Sequence, residues 1–361
     1  MLFDLRPKTR REELFGREKE LAELYSALAR YPLIVVAGVR RIGKTSLLKT
    51  ALSDLGQPSI YLDARILEEE GYTRRALYGL VSEELSRIGG SWLKGFAKHV
   101  RGVHVGGFGI ELDWGKRGAR LSSLFKALDK WALNQGKTVI VAVDEAQILR
   151  MLSGGKGRVN FTQLIAYCYD NLSNIKFVLT GSEVGLLYEF LGLENPESPL
   201  YGRGYKTIML ERFSRETSLD FLRAGFRELG MQPSEQLLGG VVDRLDGLVG
   251  WLTLYGYTGS EEDPQVALEE TFRKAEGMVK KEINPLLQHS NYYRPILRAL
   301  ALGKTAWGEI KREVINRLGR FVSDSQFNRA LMSLVNLSLV EHNQNGYTIA
   351  DPVLREVSRN L

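Results

Sequence analysis

Short apolar-rich runs alternate along the chain with longer stretches whose apolar residues recur at helical spacing. The runs are Leu33–Ala37, Ser59–Ala64, Thr138–Val143, Asn174–Leu179 and Tyr205–Leu210. A run that is apolar throughout reads as a strand buried on both faces of a parallel sheet. Between them, Leu21, Leu24 and Leu28 mark a helix from about Arg17 to Ala29, and helices are read over Arg74–Ile88, Leu121–Asn134 and residues 158–173. Strands alternating with helices predict an α/β fold with a parallel sheet. Residues 1–14 are charged and read as a lead-in laid on the surface.

Two stretches depart from this rhythm. Val103 and Val105, then Phe108, Ile110, Leu112 and Trp114, alternate with small or charged residues around Gly106-Gly107. That period of two about a glycine turn predicts a β-hairpin inserted at about 95–117. Lys94, Lys98, Arg101, Lys116, Arg117 and Arg120 flank it, so it either packs on its own domain or contacts a partner or DNA. From Ser214 to Gln288 the pattern is helical, with Ser214 and Ser234 placed as caps. There Gly247-Leu-Val-Gly-Trp251-Leu-Thr253 predicts a tight turn, with Trp251 in the core or against a planar group. The last segment reads as three helices: Tyr292–Leu302, Thr305 as a cap with a helix to Arg317, and Ser323 as a cap with a helix to Leu337. The alternating runs Leu339–Asn343 and Tyr347–Ile349 then flank Asn345-Gly346, a strong hairpin signal. Three helices and a hairpin make a winged helix-turn-helix. The expected domains are 1–212 (α/β), 213–288 (helical) and 289–361 (winged helix).

The loop after the first strand, Gly38-Val39-Arg40-Arg41-Ile42-Gly43-Lys44-Thr45, fits G-x-x-x-x-G-K-[ST], with Ser46 following. Backbone amides around such a loop point at phosphate oxygens, and the helix that follows adds its unpaired N-terminal amides. Gly38 and Gly43 allow close approach where a Cβ would intrude. Lys44 is placed for the β- and γ-phosphates and Thr45 for Mg²⁺. The third strand ends in Asp144-Glu145. Ligands of such sheets sit at the carboxyl ends of the strands, so Asp144 is placed to face the metal and Glu145 to activate a water. The fourth strand ends in Thr180-Gly-Ser182, where a hydroxyl can touch the γ-phosphate or the water, and where Ser182 equally suits a helix cap. Arg203, before the fifth strand, is a candidate for stabilising phosphate charge.

Composition sets limits. With 361 residues, 44% of them hydrophobic, there is material for two or three domains and a sizeable core. The single cysteine excludes a disulfide framework, and the four histidines lack metal-ligand spacing. No apolar run approaches the ~18 residues of a membrane span and the N-terminus is charged, so a cytoplasmic, non-membrane protein is expected. The net charge of +6 permits nucleic-acid contact without requiring it. Residues 290–361 carry 10 Lys and Arg against 6 Asp and Glu. If they bind DNA, Ser325, Asn328 and Arg329 should face the major groove.

Taken together, Phe15-Gly16-Arg17-Glu18-x-Glu20, Gly38–Thr45, Asp144-Glu145-Ala-Gln147, Pro199-Leu-Tyr-Gly-Arg203, Gly247–Thr253 and the C-terminal segment resemble the archaeal-type ATPases of the AAA+/STAND P-loop class. More distantly, they are similar to the origin-recognition initiator ATPases. The resemblance implies an ASCE/AAA+ core with five parallel strands in the order 5-1-4-3-2, a helical lid over 214–280 and a winged helix. It implies ATP or ADP with Mg²⁺, the Phe15–Glu18 region near adenine, and Thr180 or Ser182 as a polar sensor. The arginine at 203 would act within its own subunit or across a homo-oligomer. Relatives often carry a proline in the lid motif, where this chain has Val249-Gly250-Trp251. The expected function is Mg²⁺-dependent ATP hydrolysis that moves the lid and winged helix. The alternatives are a nucleotide-gated switch with negligible turnover and an ATP-tuned DNA-binding initiator or transcription regulator. Protein partners are open.

Overall fold

The computed structural model describes residues 1–88, 103–106, 109–112, 120–153 and 159–361. Its centre is a five-stranded parallel sheet of β1 (Leu33–Ala37), β2 (Ser59–Asp63), β5 (Val139–Asp144), β6 (Ile175–Gly181) and β7 (Lys206–Met209). The spatial order is β2-β5-β6-β1-β7. Counting only these strands, that is the expected 5-1-4-3-2 read from the other edge. β1 is buried at every residue and pairs with β6 and β7, so its amides are used on both sides. Its side chains alternate between faces. Ile34 and Val36 join one apolar cluster, and Leu33, Val35 and Ala37 join the other.

The covering helices fall where the periodicity placed them: α1 (Glu18–Arg30), α2 (Lys44–Leu55), α4 (Arg74–Ile88), α5 (Leu121–Gln135) and α6 (Phe161–Asn171). Two short helices, α3 (Ile66–Glu70) and α7 (Val184–Leu191), and a 3-10 segment at Ala146–Ser153 stand where no element was predicted. The inserted hairpin is present as β3 (Val103–Gly106) paired antiparallel with β4 (Gly109–Leu112), and β4 runs along α4. Lys94, Lys98, Arg101, Phe108, Trp114, Lys116 and Arg117 lie outside the described residues.

Beyond the sheet come α8 (Arg215–Glu228), α9 (Glu235–Leu245), α10 (Val249–Glu261) and α11 (Pro264–Leu287). Ser214 and Ser234 cap α8 and α9 by accepting from the amides of Thr217 and Leu237. Then follow α12 (Tyr293–Ala301), α13 (Trp307–Leu318), α14 (Asp324–Asn336), the hairpin β8 (Val340–Asn343) and β9 (Gly346–Ile349), and α15 (Pro352–Arg359). Ser323 caps α14, whereas α13 takes Ala306 in place of Thr305, and α15 was not anticipated. One apolar cluster runs from α1 and α2 through α8–α11 to α12–α15, while the second fills the opposite face of the sheet.

The N-terminus is not a surface lead-in. Leu2 and Phe3 are buried, and Phe3 sets its ring edge-on to Phe221 and Phe226 at 5.6 and 5.0 Å. Two apolar residues within a charged stretch are too few to create a periodic signal.

Candidate functional site

Between β1 and α2 the chain makes one loop, 38–43. Gly43 occupies the left-handed region at φ 100° and caps α2, a conformation that any Cβ would strain. The Leu47 amide, donating to Gly43, is the first to close the helix, so the amides before it have no helical acceptor. Lys44 is buried and its Nζ donates to the carbonyls of Gly38 and Val39 at 2.8 and 2.9 Å. Burial pushes the Lys44 ammonium down to about 8, against the opposing pull of Glu145 and Asp144.

Those two acids arrive from the end of β5. Asp144 is fully buried and accepts from three hydroxyls: Thr45 at 2.8 Å, Tyr61 at 2.9 Å, and Thr180. Thr180 also accepts from the Glu145 amide. Glu145 stands in the left-handed region at φ 54°. Its Oε2 accepts from the Ser182 amide (2.9 Å), the Ser182 hydroxyl (2.8 Å) and Gln147 Nε2 (2.7 Å). Burial alone would raise the Glu145 carboxyl. The Lys44 charge and the bonds from Gln147 and Ser182 outweigh it, holding the group below its ordinary value and ionised. Ser182 does not cap α7, whose N-cap is Glu183.

These groups open on a cavity of about 670 Å³. Its floor holds Gly43, Lys44, Thr45, Ser46, Glu145 and Gln147; Phe15, Phe213 and Phe221 form an aromatic end; Val249, Gly250, Met278 and Glu282 close it from α10 and α11. Residues 4–8 line it as well, and the Lys8 amide donates to Ser46 Oγ at 3.1 Å.

Residues 14–254 match the family described as the ATPase domain predominantly from Archaea. The chain belongs to that family. It is an ATPase with a P-loop fold. The whole chain is also similar to a solved structure, the Walker-type ATPase PABY2304 of Pyrococcus abyssi, with 36% identity, 99% of this chain and 100% of that one covered, and a TM-score of 0.86. The ORC2 protein of Aeropyrum pernix, solved in ADPNP–ADP complexes, is similar at 17% identity over 99% and 96% of the two chains, with a TM-score of 0.63. Its ADP form gives 18% and 0.57. At that identity the ORC2 likeness speaks for the fold alone. No curated protein matches the chain.

Of the residues singled out in this ATPase, Phe15, Arg17, Arg40, Arg41, Gly43, Lys44, Thr45, Ser46, Glu145 and Ser182 line the cavity together. Asp144 and Thr180 sit just behind them. Gly38 and Val39 contribute the carbonyls that hold Lys44, and Ile42 is a core residue. Gly16 is packed against Phe213 and Thr217. Arg17 is buried, donates to the carbonyls of Ile42 (3.0 Å) and Glu211 (2.7 Å), and lies over the Phe213 ring, so it braces the loop from behind.

Arg203 is not brought to this site. Lys206 opens β7 opposite Ile34 of β1, whereas the P-loop follows Ala37 at the other end. Arg203 therefore lies at the amino end of the sheet, bound to Asp170 at 2.6 Å and to the Pro199 carbonyl. No motif marks Tyr61 as a site residue, although a lone phenol at the centre of the strand paired with β5 is a usable signal.

For a metal, the pair that fits is Thr45 with Asp144, a hydroxyl and a carboxylate already in contact. Mg²⁺ commonly takes one or two protein oxygens and completes its shell with water and phosphate. Among the described residues no group of three or more His, Cys, Asp or Glu forms a cage, and no helix is long and apolar enough to cross a membrane.

Proposed function

We propose that the cavity binds ATP with Mg²⁺ and hydrolyses it. The observation that carries this reading is the meeting of Lys44, Thr45 and Glu145 on one cavity at the carboxyl ends of β1 and β5, with Asp144 bonded to Thr45 just behind it. The triphosphate lies along the amides of 38–46, with Lys44 on the β- and γ-oxygens. The adenine lies toward Phe15, Phe213 and Phe221, whose flat apolar faces suit a base. Thr45 and Asp144 would hold Mg²⁺, which supplies charge neutralisation on the phosphates. Glu145 orients a water for in-line attack on the γ-phosphorus and takes its proton as the bond to ADP breaks. Thr180 and Ser182 fix the two acids and act as the polar sensor.

In the same reading, residues 213–288 are a lid, 289–361 are a winged helix, and the nucleotide state moves both, as in a STAND-type ATPase. Arg203, at the far end of the sheet, serves a neighbouring copy in a homo-oligomer. Glu145→Gln should keep ATP affinity and lower kcat by about 10²–10⁴-fold. Lys44→Ala should lose affinity as well, and chelation of Mg²⁺ should stop turnover. A flat calorimetric trace with Mg²⁺ and ATP would overturn the proposal. Stoichiometric ADP in the purified protein with negligible turnover would favour the switch. An ATP-tuned DNA binder draws support from α14: its N-terminal half, with Ser325, Asn328 and Arg329, is exposed, while its C-terminal end packs on α7. Duplex binding that weakens with salt is the test.

A further inference from the structure

Gln147 lines the cavity beside Glu145, and its two polar groups face different fates. Its Nε2 donates to Glu145 Oε2 at 2.7 Å. Its Oε1 is buried and has no hydrogen-bond partner among the described residues. Rotating the amide by half a turn would set its carbonyl against a carboxylate that is already ionised, so the orientation is fixed by Glu145. The neighbouring backbone fixes it too. A Cβ on Gly181 would stand 2.6 Å from Gln147 Oε1, so the amide lies directly on that glycine. An unmet acceptor in a buried setting is costly, so the bond to Glu145 is made at the expense of the other end of the amide.

We propose that Gln147 is a positioning residue for hydrolysis: its NH₂ clamps Glu145 Oε2 and so holds the other carboxylate oxygen toward the attacking water. The inference rests on the ATPase reading of the site proposed above. All three bonds to Glu145, two from Ser182 and one from Gln147, fall on Oε2, which leaves Oε1 as the proton acceptor. Water then gives one proton to Glu145 Oε1. Its oxygen forms the new bond to the γ-phosphorus as the bridging bond to ADP breaks. Gln147 exchanges no proton; it sets the direction of the attack.

The test is Gln147→Met, which keeps length and removes both polar groups. In the full-length protein with Mg²⁺ and ATP, ATP affinity by calorimetry and KM should stay within about twofold, while kcat falls at least about tenfold. Added to Glu145→Gln, the same substitution should change the residual rate by less than about twofold, because Gln147 acts through Glu145. A Gln147→Met enzyme with native kcat overturns the proposal, and so does an equal further loss in the Glu145→Gln background. If that variant shows no cooperative melt, Gln147→Glu, isosteric and carboxylate-bearing, takes its place with the same expected split. A wild-type protein that binds Mg²⁺ and ATP but never turns over is a different result: it removes the hydrolytic reading and this role with it.

Discussion

Asp144 shows what a single buried carboxylate demands. It accepts from Thr45, Tyr61 and Thr180, three hydroxyls delivered by three different elements. The Tyr61 phenol is raised well above its ordinary value, by burial first and by Asp144 next, so it remains a donor across the working range. Tyr61→Phe removes a bond to a charged acceptor and should cost about 1–2 kcal/mol in denaturant unfolding, with a weaker Mg²⁺ dependence of turnover. Cys168 gives a second check. Burial, followed by the Asp129 charge, pushes its thiol up to about 12. At pH 8 native protein should therefore alkylate at least about a hundredfold more slowly than a free thiol, and Mg²⁺ with ATP should slow it further by stabilising the folded state. At this scale, legibility depends on chain distance. Lys44, Thr45, Asp144 and Glu145 were readable because their chemistry is written in contiguous motifs. Tyr61 acts through a partner that only strand order brings close, whereas Gln147 stands two residues from Glu145 in the same motif and its contact is a matter of local fold. For Arg203 both its own P-loop and a neighbour's stay open at the level of sequence, because spacing along the chain does not reveal which end of the sheet a loop occupies.

At the level of elements, the central strands β1, β5 and β6 were legible because burial on both faces leaves a nearly unbroken apolar run, and the half-buried edge strands β2 and β7 by their place between helical stretches. The short α3 and α7 offered too few residues for a period to emerge, and α15 has an amphipathic pattern confined to Pro352–Arg359. The N-terminal segment is the instructive failure. Its charges suggested solvent, yet Phe3 lies on Gly225 of α8 and Gly256 of α10, while the Lys8 carbonyl accepts from Thr50 of α2 at 3.3 Å. Residues 1–8 thus run from the helical region to the P-loop helix along the cavity wall. Phe3→Ala should cost about 3 kcal/mol by loss of a buried ring. It should also speed release of a fluorescent ADP in stopped flow, because the strap then holds neither end firmly. Destabilisation with unchanged release would assign the strap to the core alone.

Across the whole molecule, two P-loop arginines join the nucleotide loop to everything that follows it. Arg40 pairs with Glu183 at 3.0 Å and Glu282 at 3.5 Å; Arg41 pairs with Glu282 and with Asp351 at 3.5 Å. Arg41 also lies 4.1 Å over the Trp251 ring, and the Trp251 indole donates to Asp351 at 3.0 Å. Asp351 in turn caps α15 by accepting from Val353 at 2.8 Å. Burial raises the Asp351 carboxyl, and Arg41 pulls the other way, so the ionised cap depends on that arginine. A triphosphate in the cavity competes for the same guanidinium charges. Each step of nucleotide binding should then weaken the hold of Arg41 on Asp351 and loosen the start of α15. Amide exchange at Val353 and Leu354 is the measurement: ATP should accelerate it at least about threefold, an effect of roughly 0.6 kcal/mol on local opening. Asp351→Asn keeps a capping oxygen but no charge, so exchange there should be faster at the outset and insensitive to ATP. Equal protection with and without nucleotide in the native chain would mean that the loop and the C-terminal helix share a core but not a signal.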